Sequence, residues 1–292
     1  MGRGQYSSPP HVGAYGCNAS PCRRLRLQRL LTSAPTASRE HGLGIGFSGP
    51  GEPWLTTPVR NPVIAALDVA SAERALALAG QLAPDIGALK VGKELFTSAG
   101  PELVRQLRAT GAAVFLDLKF HDIPNTVARA VEAAVRLDVQ MLTLHTSGGL
   151  AMMKAAVEAA EAAARQCQRP APLLLGVTVL TSLDDEALNE VGVGRPVAAQ
   201  VELLARLAVR AGLRGLVCSP QELGLLRSVL PRDIQLVTPG IRPVGAALGD
   251  QKRTLTPREA MAAGADWLVI GRPIVAAPDP RAALRELLAS LA

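Results

Sequence analysis

The strongest constraint on the fold is a repeat in which a short apolar run alternates with a helical stretch through most of the chain. Stretches rich in Ala, Leu and Arg, with apolar residues three and four apart, have the helical period; they include 72–82, 101–109, 126–137, 151–165, 196–211 and 221–230, and the chain ends in one at 280–291. The apolar runs have strand length and lie at 63–67, 88–91, 113–116, 140–144, 173–179, 215–218, 235–237 and 267–270. Eight strand–helix units predict an α/β protein, a single parallel (β/α)8 TIM barrel, rather than a doubly wound sheet. Neither a G-x-G-x-x-G motif nor a P-loop is present to favour the open sheet.

A barrel of this kind places its functional groups just past the carboxyl ends of the strands. Polar or flexible residues lie at or just past the ends of all eight apolar runs. They are Asp68, Lys90, Asp117 with Lys119, His145, Thr181, Ser219, Gly240 with Arg242, and Gly271 with Arg272. The sequence therefore predicts a functional site at this end of the barrel.

The first 60 residues differ in composition from the rest of the chain. They are rich in Ser, Pro, Gly and Arg, and no acidic residue precedes Glu40. We predict a disordered basic extension over 1–60 and a barrel domain over 61–292. Three origins of the extension are open: a translation start placed too far upstream, a targeting segment, or a functionless tail.

Charge and cysteine content exclude several classes of function. Seven Arg and two Glu give residues 1–60 a charge of +5, whereas 24 basic and 23 acidic residues give the remainder +1. With aromatic content of 3%, the body offers no basis for nucleic-acid binding. No apolar run has membrane-spanning length, and the four Cys and four His form no zinc or disulfide pattern. These features predict no membrane association, no metal site and a cytoplasmic location.

The most distinctive segment is DLKFHDIPNT at 117–126, which follows the third apolar run and enters a helical pattern at Pro124. Alternate residues of a strand share one side, so Asp117 and Lys119 are expected to point the same way. Two interpretations are open. The charges form a solvated loop in which Asp122 caps the helix, or they form a charged cluster in a site.

This decapeptide closely resembles the signature of the orotidine 5′-phosphate decarboxylase family, and the resemblance continues from about residue 61 to residue 292. It implies decarboxylation of orotidine 5′-monophosphate to uridine 5′-monophosphate and CO2, the last step of de novo pyrimidine synthesis, without a cofactor. The resemblance leaves out residues 1–60, which favours the misplaced start or the functionless tail.

The resemblance also implies catalytic roles. Lys119 would stabilise the carbanion left by CO2 and donate the proton. Asp117 and Asp122 would hold its ammonium group, and Lys90 would extend the charged row. Asp122, together with Thr126 as a ribose contact, would be contributed across the interface of a homodimer.

The loops after strands seven and eight are expected to bind phosphate, as they commonly do in such barrels. Gly240 with Arg242 and Gly271 with Arg272 supply backbone N–H groups and planar guanidinium donors. The alternative is that both glycines only end strands and both arginines face solvent. By resemblance, Arg272 and Arg242 are phosphate ligands.

The remaining substrate contacts are implied by resemblance. Asp68 and Lys90 match positions that hold the ribose hydroxyls, and Thr181 matches a pyrimidine contact. Gln251 matches a residue that reaches both phosphate and pyrimidine. It lies in the long 244–256 loop, a candidate lid whose alternative is an ordinary surface loop.

His145 and Cys218 invite a nucleophile hypothesis, but neither has a paired acid or base at evident spacing, so we predict packing roles for both. Two other functions compete with the decarboxylase. One is a magnesium-dependent sugar-phosphate decarboxylase or aldolase-type synthase that shares D-x-K-x-x-D. The other is a catalytically dead nucleotide-binding protein, which the intact charged motif disfavours.

Overall fold

The computed structural model of the protein describes residues 61–242 and 255–291. The predicted extension over 1–60, most of the predicted 244–256 lid, and Gln251 lie outside the described residues. Within those residues, no helix is both long and apolar enough to cross a membrane.

The described strands close into one parallel barrel in the order in which they occur in the chain. The closing pair joins the first and last strands through the registers Val63↔Leu268 and Ala65↔Ile270. The strands are β1 Val63–Ala66, β2 Ala88–Gly92, β3 Val114–Phe120, β4 Met141–His145, β5 Leu173–Val177, β6 Gly215–Val217, β7 Gln235–Thr238 and β8 Trp267–Ile270. The predicted TIM barrel is thereby confirmed.

Helices follow the strands and surround the barrel. They are α1 Ala72–Leu82, α2 Lys93–Ala109, α3 Pro124–Arg136, α4 Gly149–Cys167, α5 Asp185–Glu190, α6 Val197–Arg210, α7 Leu223–Val229, α8 Pro257–Ala262, α9 Arg272–Val275 and α10 Pro280–Ala289. Short 3-10 turns, Thr146–Gly148 and Pro220–Glu222, precede α4 and α7. The second of these replaces the first turn of the helix predicted at 221–230.

Local sequence explains several helix boundaries. Ser71 caps α1 by accepting a hydrogen bond from the Arg74 N–H at 3.2 Å. Proline supplies the first residue of α3 and α10, where its missing N–H costs nothing. The helix predicted to begin at Pro101 is preceded by another helical segment from Lys93. The two are separated by Gly100, whose φ of 68° is accessible to glycine without strain.

Apolar side chains fill two layers of the fold. The layer inside the barrel includes Ile64, Phe115, Met141 and Trp267, all less than 5% exposed. The other layer joins the outward faces of the strands to the helices. Burial of apolar surface stabilises the fold by about 25 cal/mol per Å2. The two layers therefore hold the strands in place, and with them the residues at the strand ends.

The third strand departs from the sequence prediction. The apolar run ends at residue 116, but β3 continues to Phe120, and its pairing with β4 shifts register between Leu116 and Phe120. Lys119, inside the shifted stretch, has a left-handed backbone with φ of 53°. Asp117 and Lys119 therefore lie on the strand itself and not beyond its end.

Candidate active site

A cavity of about 510 Å3 opens at the carboxyl ends of the strands. Its floor is apolar and includes Phe115, Val177 and Val269, which belong to strands on different sides of the barrel. Nine of the residues predicted from sequence line it: Asp68, Lys90, Asp117, Lys119, Thr181, Gly240, Arg242, Gly271 and Arg272. The strand-end rule therefore identified every charged residue that lines the cavity among the described residues.

Four charged side chains form a row of alternating sign along this wall. The Nζ atom of Lys90 lies 2.9 Å from Oδ1 of Asp68 and 3.8 Å from Oδ2 of Asp117. The Nζ atom of Lys119 lies 2.8 Å from Oδ1 of Asp117. The row follows the order of β1, β2 and β3, since neighbouring parallel strands place their ends side by side. The predicted shared orientation of Asp117 and Lys119 is confirmed.

The carboxylate of Asp117 is the electrostatic centre of the row. Burial acts to raise the pKa of Asp117, but the ammonium groups of Lys119 and Lys90 and hydrogen bonds from Lys119 and Thr143 outweigh it. The pKa of Asp117 therefore lies below its ordinary value. Its side chain is only 14% exposed, so the carboxylate is a negative charge fixed within the cavity wall.

Thr143, in the middle of β4, is a member of this site that the sequence interpretation missed. Its Oγ1 atom accepts a hydrogen bond from the Lys119 N–H at 2.9 Å and donates one to Oδ1 of Asp117 at 2.9 Å. The available signal was a hydroxyl within the apolar run MLTL, which starts at Met141. A buried hydroxyl needs a partner, and the nearest polar groups belong to the neighbouring strand.

Two arginines line the part of the cavity formed by the last two strands. Arg272 begins α9 immediately after Gly271, the residue that follows β8. The Nη1 atom of Arg242 donates to the Ile241 carbonyl at 2.9 Å. The Arg242 N–H donates to the Leu255 carbonyl at 3.0 Å. This second bond ties together the two ends of the loop predicted as a lid.

Some predicted residues lie away from the cavity. Asp122 and Thr126 are exposed, and Oδ1 of Asp122 accepts from the Ile123 N–H at 2.6 Å. Ile123 is the N-cap of α3 and no side chain caps that helix, so the alternative in which Asp122 caps it is wrong. Ser219 is fully buried and does not line the cavity. Cys218 lines it instead, because β6 ends one residue earlier than predicted.

The two candidate nucleophiles lie in unreactive settings. Burial raises the pKa of the Cys218 thiol to about 12, so it stays protonated near neutral pH. His145 borders a neighbouring cavity of about 370 Å3 that shares Asp117 and Lys119 with the first. Burial lowers the pKa of His145, and the ring of His121, 5.4 Å away between centroids, lowers it further. Neither arrangement supplies an activated nucleophile.

Metal-binding side chains are not grouped in the part of the chain that the structure describes. No three His, Cys, Asp or Glu residues within 61–242 and 255–291 lie together as potential ligands. The groups at the cavity that could bind an anionic substrate are Lys90, Lys119, Arg242 and Arg272.

The closed barrel and the charged cavity at its carboxyl end define a (β/α)8-barrel enzyme. Residues 61–287 match the model of the Orotidine 5′-phosphate decarboxylase / HUMPS family. The chain belongs to this family, a family of carboxy-lyases, so the predicted family and enzyme class are confirmed.

Similar proteins agree with this assignment. The chain is 55% identical to orotidine 5′-phosphate decarboxylase of Nitrosococcus oceani over 233 residues, which are 80% of this chain and 98% of the relative. It is 54% identical to the enzyme of the same name from Dichelobacter nodosus over 231 residues, 79% of this chain and 99% of that one. The crystal structure of orotidine 5′-phosphate decarboxylase from Lactobacillus acidophilus superposes with a TM-score of 0.71 at 38% identity, covering 79% of this chain and 99% of that structure.

Proposed function

We propose that the protein converts orotidine 5′-monophosphate to uridine 5′-monophosphate and CO2, with Lys119 as the proton donor. The observation that carries this proposal is the row Asp68–Lys90–Asp117–Lys119 along one wall of a cavity that two arginines also line. Membership in the family and relatives of that name support the same substrate.

The phosphate is proposed to bind beside Gly271, Arg272 and Arg242. A guanidinium group donates two parallel hydrogen bonds to phosphate oxygens, and barrels commonly use the loops after the last two strands for this purpose. Binding energy from this remote group can hold the reacting ring against the charged row. Gln251 is proposed to reach both phosphate and pyrimidine, as predicted from the resemblance.

The sugar and base are proposed to lie between the arginines and the charged row. Asp68 and Lys90 can accept from and donate to the ribose hydroxyls, because their 2.9 Å pair stands at the cavity wall. Thr181, which follows β5 and lines the cavity, can hydrogen-bond the pyrimidine.

Decarboxylation breaks the bond between the ring carbon C6 and the carboxylate. The electron pair stays on C6 while CO2 departs, so a cation must lie where this charge develops. The Lys119 ammonium is already fixed at 2.8 Å from Asp117 and needs little reorganisation to fill that role. Transfer of its proton to C6 gives uridine 5′-monophosphate, and the neutral amine regains a proton from water.

Asp117 and Asp122 are proposed to act on either side of this ammonium group. Asp117 does so within one chain. Asp122 does not contact Lys119 of its own chain but is exposed beside Ile123, whose apolar side chain is 66% exposed. We propose that this segment packs on a second copy of the chain in a homodimer, where Asp122 and Thr126 enter the partner's site. A cytoplasmic location stays a prediction.

The test is loss of orotidine 5′-monophosphate absorbance with the full-length chain, measured in EDTA and again with added Mg2+. The proposal expects rapid turnover in EDTA and no gain from Mg2+. Turnover of sugar phosphates that requires Mg2+, with none of orotidine 5′-monophosphate, would assign the site to the competing synthase class. Tight binding of uridine 5′-monophosphate without any turnover would indicate a catalytically dead protein.

A further inference from the structure

Thr143 occupies an unusual place for a polar side chain. It lies at the centre of β4 between Leu142 and Leu144, and it is 0% exposed. Its hydroxyl joins two different parts of the charged row, the backbone of Lys119 and the carboxylate of Asp117, each at 2.9 Å. A hydroxyl has one proton to donate, so accepting from Lys119 leaves that proton for Asp117.

The backbone of Lys119 needs such a partner. Its left-handed φ of 53° is uncommon for a residue with a side chain, and such a conformation persists where the surroundings hold it. The register shift in β3 interrupts the regular ladder with β4 between Leu116 and Phe120. In place of a ladder carbonyl, the Lys119 N–H meets the Thr143 side chain.

We propose that Thr143 is a positioning residue for Lys119, an inference that rests on the proposed decarboxylase function. Its hydroxyl locks the left-handed backbone of Lys119 and the rotamer of Asp117 together. One atom thus contacts the carboxylate of the 2.8 Å ion pair and the backbone of the lysine whose side chain forms the other end. Without the hydroxyl the ion pair can still form, but the ammonium group is no longer held at one point in the cavity.

Three variants separate this role from ordinary core packing. Thr143→Val keeps the shape of the side chain and removes the hydroxyl, whereas Thr143→Ser keeps the hydroxyl. Thr146→Val is the matched control, because Thr146 is equally buried and donates at 2.9 Å to the Val177 carbonyl, outside the charged row. All three variants are made in the full-length chain and compared with wild type for kcat, KM and the midpoint of thermal unfolding.

The expected result is a split between binding and turnover. Thr143→Val lowers kcat by about 10- to 100-fold, the size expected when a fixed group in a site is released, and leaves KM within about threefold. Thr143→Ser restores most of kcat. Thr146→Val keeps the wild-type kcat although its unfolding midpoint falls as in Thr143→Val. A kcat in Thr143→Val equal to that of wild type overturns the proposal.

Amide hydrogen exchange tests the same role without turnover. The Lys119 N–H is expected to exchange at least about tenfold faster in Thr143→Val than in wild type, and at the wild-type rate in Thr143→Ser. Unchanged exchange in Thr143→Val overturns the positioning role. If the wild-type chain shows no decarboxylation, the proposed function fails, and the exchange rate still decides whether Thr143 holds Lys119.

Discussion

The Nζ atom of Lys90 lies 3.8 Å from Oδ2 of Asp117, while the other oxygen of the same carboxylate contacts Lys119 and Thr143. Asp117 therefore has a partner on each oxygen and cannot rotate away from a substrate carboxylate placed beside it. In the proposed mechanism, the same contacts hold the ammonium of Lys119 where negative charge would develop. Under that mechanism, stress on the bound substrate and stabilisation of the carbanion would come from one set of contacts.

The ionisation of Asp117 predicts a pH-dependent contribution to stability. Because its folded pKa lies below the ordinary value of 3.8, this group contributes stability at pH above 3.8 that is lost as pH falls through the folded pKa. The difference in free energy of unfolding between wild type and Asp117→Asn is expected to be constant above about pH 5 and to shrink below about pH 4. Urea denaturation across this range measures it.

Asp233→Asn is the matched control for that series. Asp233 is paired with Arg214 at 3.1 Å, and both side chains are more than half exposed. Its removal is expected to change stability by less than about 1 kcal/mol at any pH. If the difference in free energy of unfolding between wild type and Asp117→Asn grows as pH falls, a lowered pKa for Asp117 is contradicted.

Arg272→Ala is expected to weaken substrate binding more than turnover. Loss of one charge-assisted contact to phosphate raises KM by about 10- to 100-fold, with a smaller decrease in kcat because remote binding energy also supports the chemical step. Steady-state kinetics with orotidine 5′-monophosphate measure both constants. Arg258→Ala, on the exposed face of α8, should leave them unchanged. Equal changes in KM and kcat in the two variants would show that Arg272 does not bind the phosphate.

A mixture of two inactive variants tests whether the site is shared between chains. Lys119→Ala and Asp122→Ala are each expected to be inactive alone. In a heterodimer of the two, one of the two sites combines an intact Lys119 from one chain with an intact Asp122 from the other. Random subunit exchange makes about half of the dimers heterodimers, so about a quarter of the wild-type activity should be restored. Activity is measured before and after exchange, with the mass in solution determined by light scattering. A mixture that stays inactive although heterodimers form would place Asp122 outside the partner's site.

The setting of Cys218 predicts low thiol reactivity. The buried Cys218 thiol, with a pKa of about 12, is almost entirely protonated at pH 8. Cys167, on α4, is partly exposed to solvent. Iodoacetamide at pH 8 followed by peptide mapping should label Cys167 in the folded protein and leave Cys218 unmodified until the chain is unfolded. Rapid native labelling of Cys218 would revive the nucleophile hypothesis.

Much of the architecture was predictable because it follows from local periodicity. Apolar runs of strand length alternate with helical patterns, and parallel strands bring their carboxyl ends together. Asp68 and Lys90, 22 positions apart in the sequence, could therefore be assigned to one cavity before any contact was known. The same rule placed Thr181 and Arg272 at the cavity wall.

The features that sequence reasoning missed depend on contacts between distant segments. The continuation of β3 through Asp117 and Lys119 depends on the irregular pairing with β4. The sequence around Lys119 contains no residue type that predicts its left-handed backbone. Thr143 enters the site across that same pairing, 24 positions from Lys119. Asp122 poses a different problem, because its proposed target belongs to a second chain.

The most direct test of the central claim compares wild type with Lys119→Ala for orotidine 5′-monophosphate turnover and for uridine 5′-monophosphate binding. The account predicts that Lys119→Ala loses at least about 10,000-fold in kcat, since it lacks both the cation and the proton donor, while the product still binds. Lys154→Ala, an exposed lysine on α4, should behave as wild type in both measurements. Substantial turnover by Lys119→Ala would contradict the mechanism.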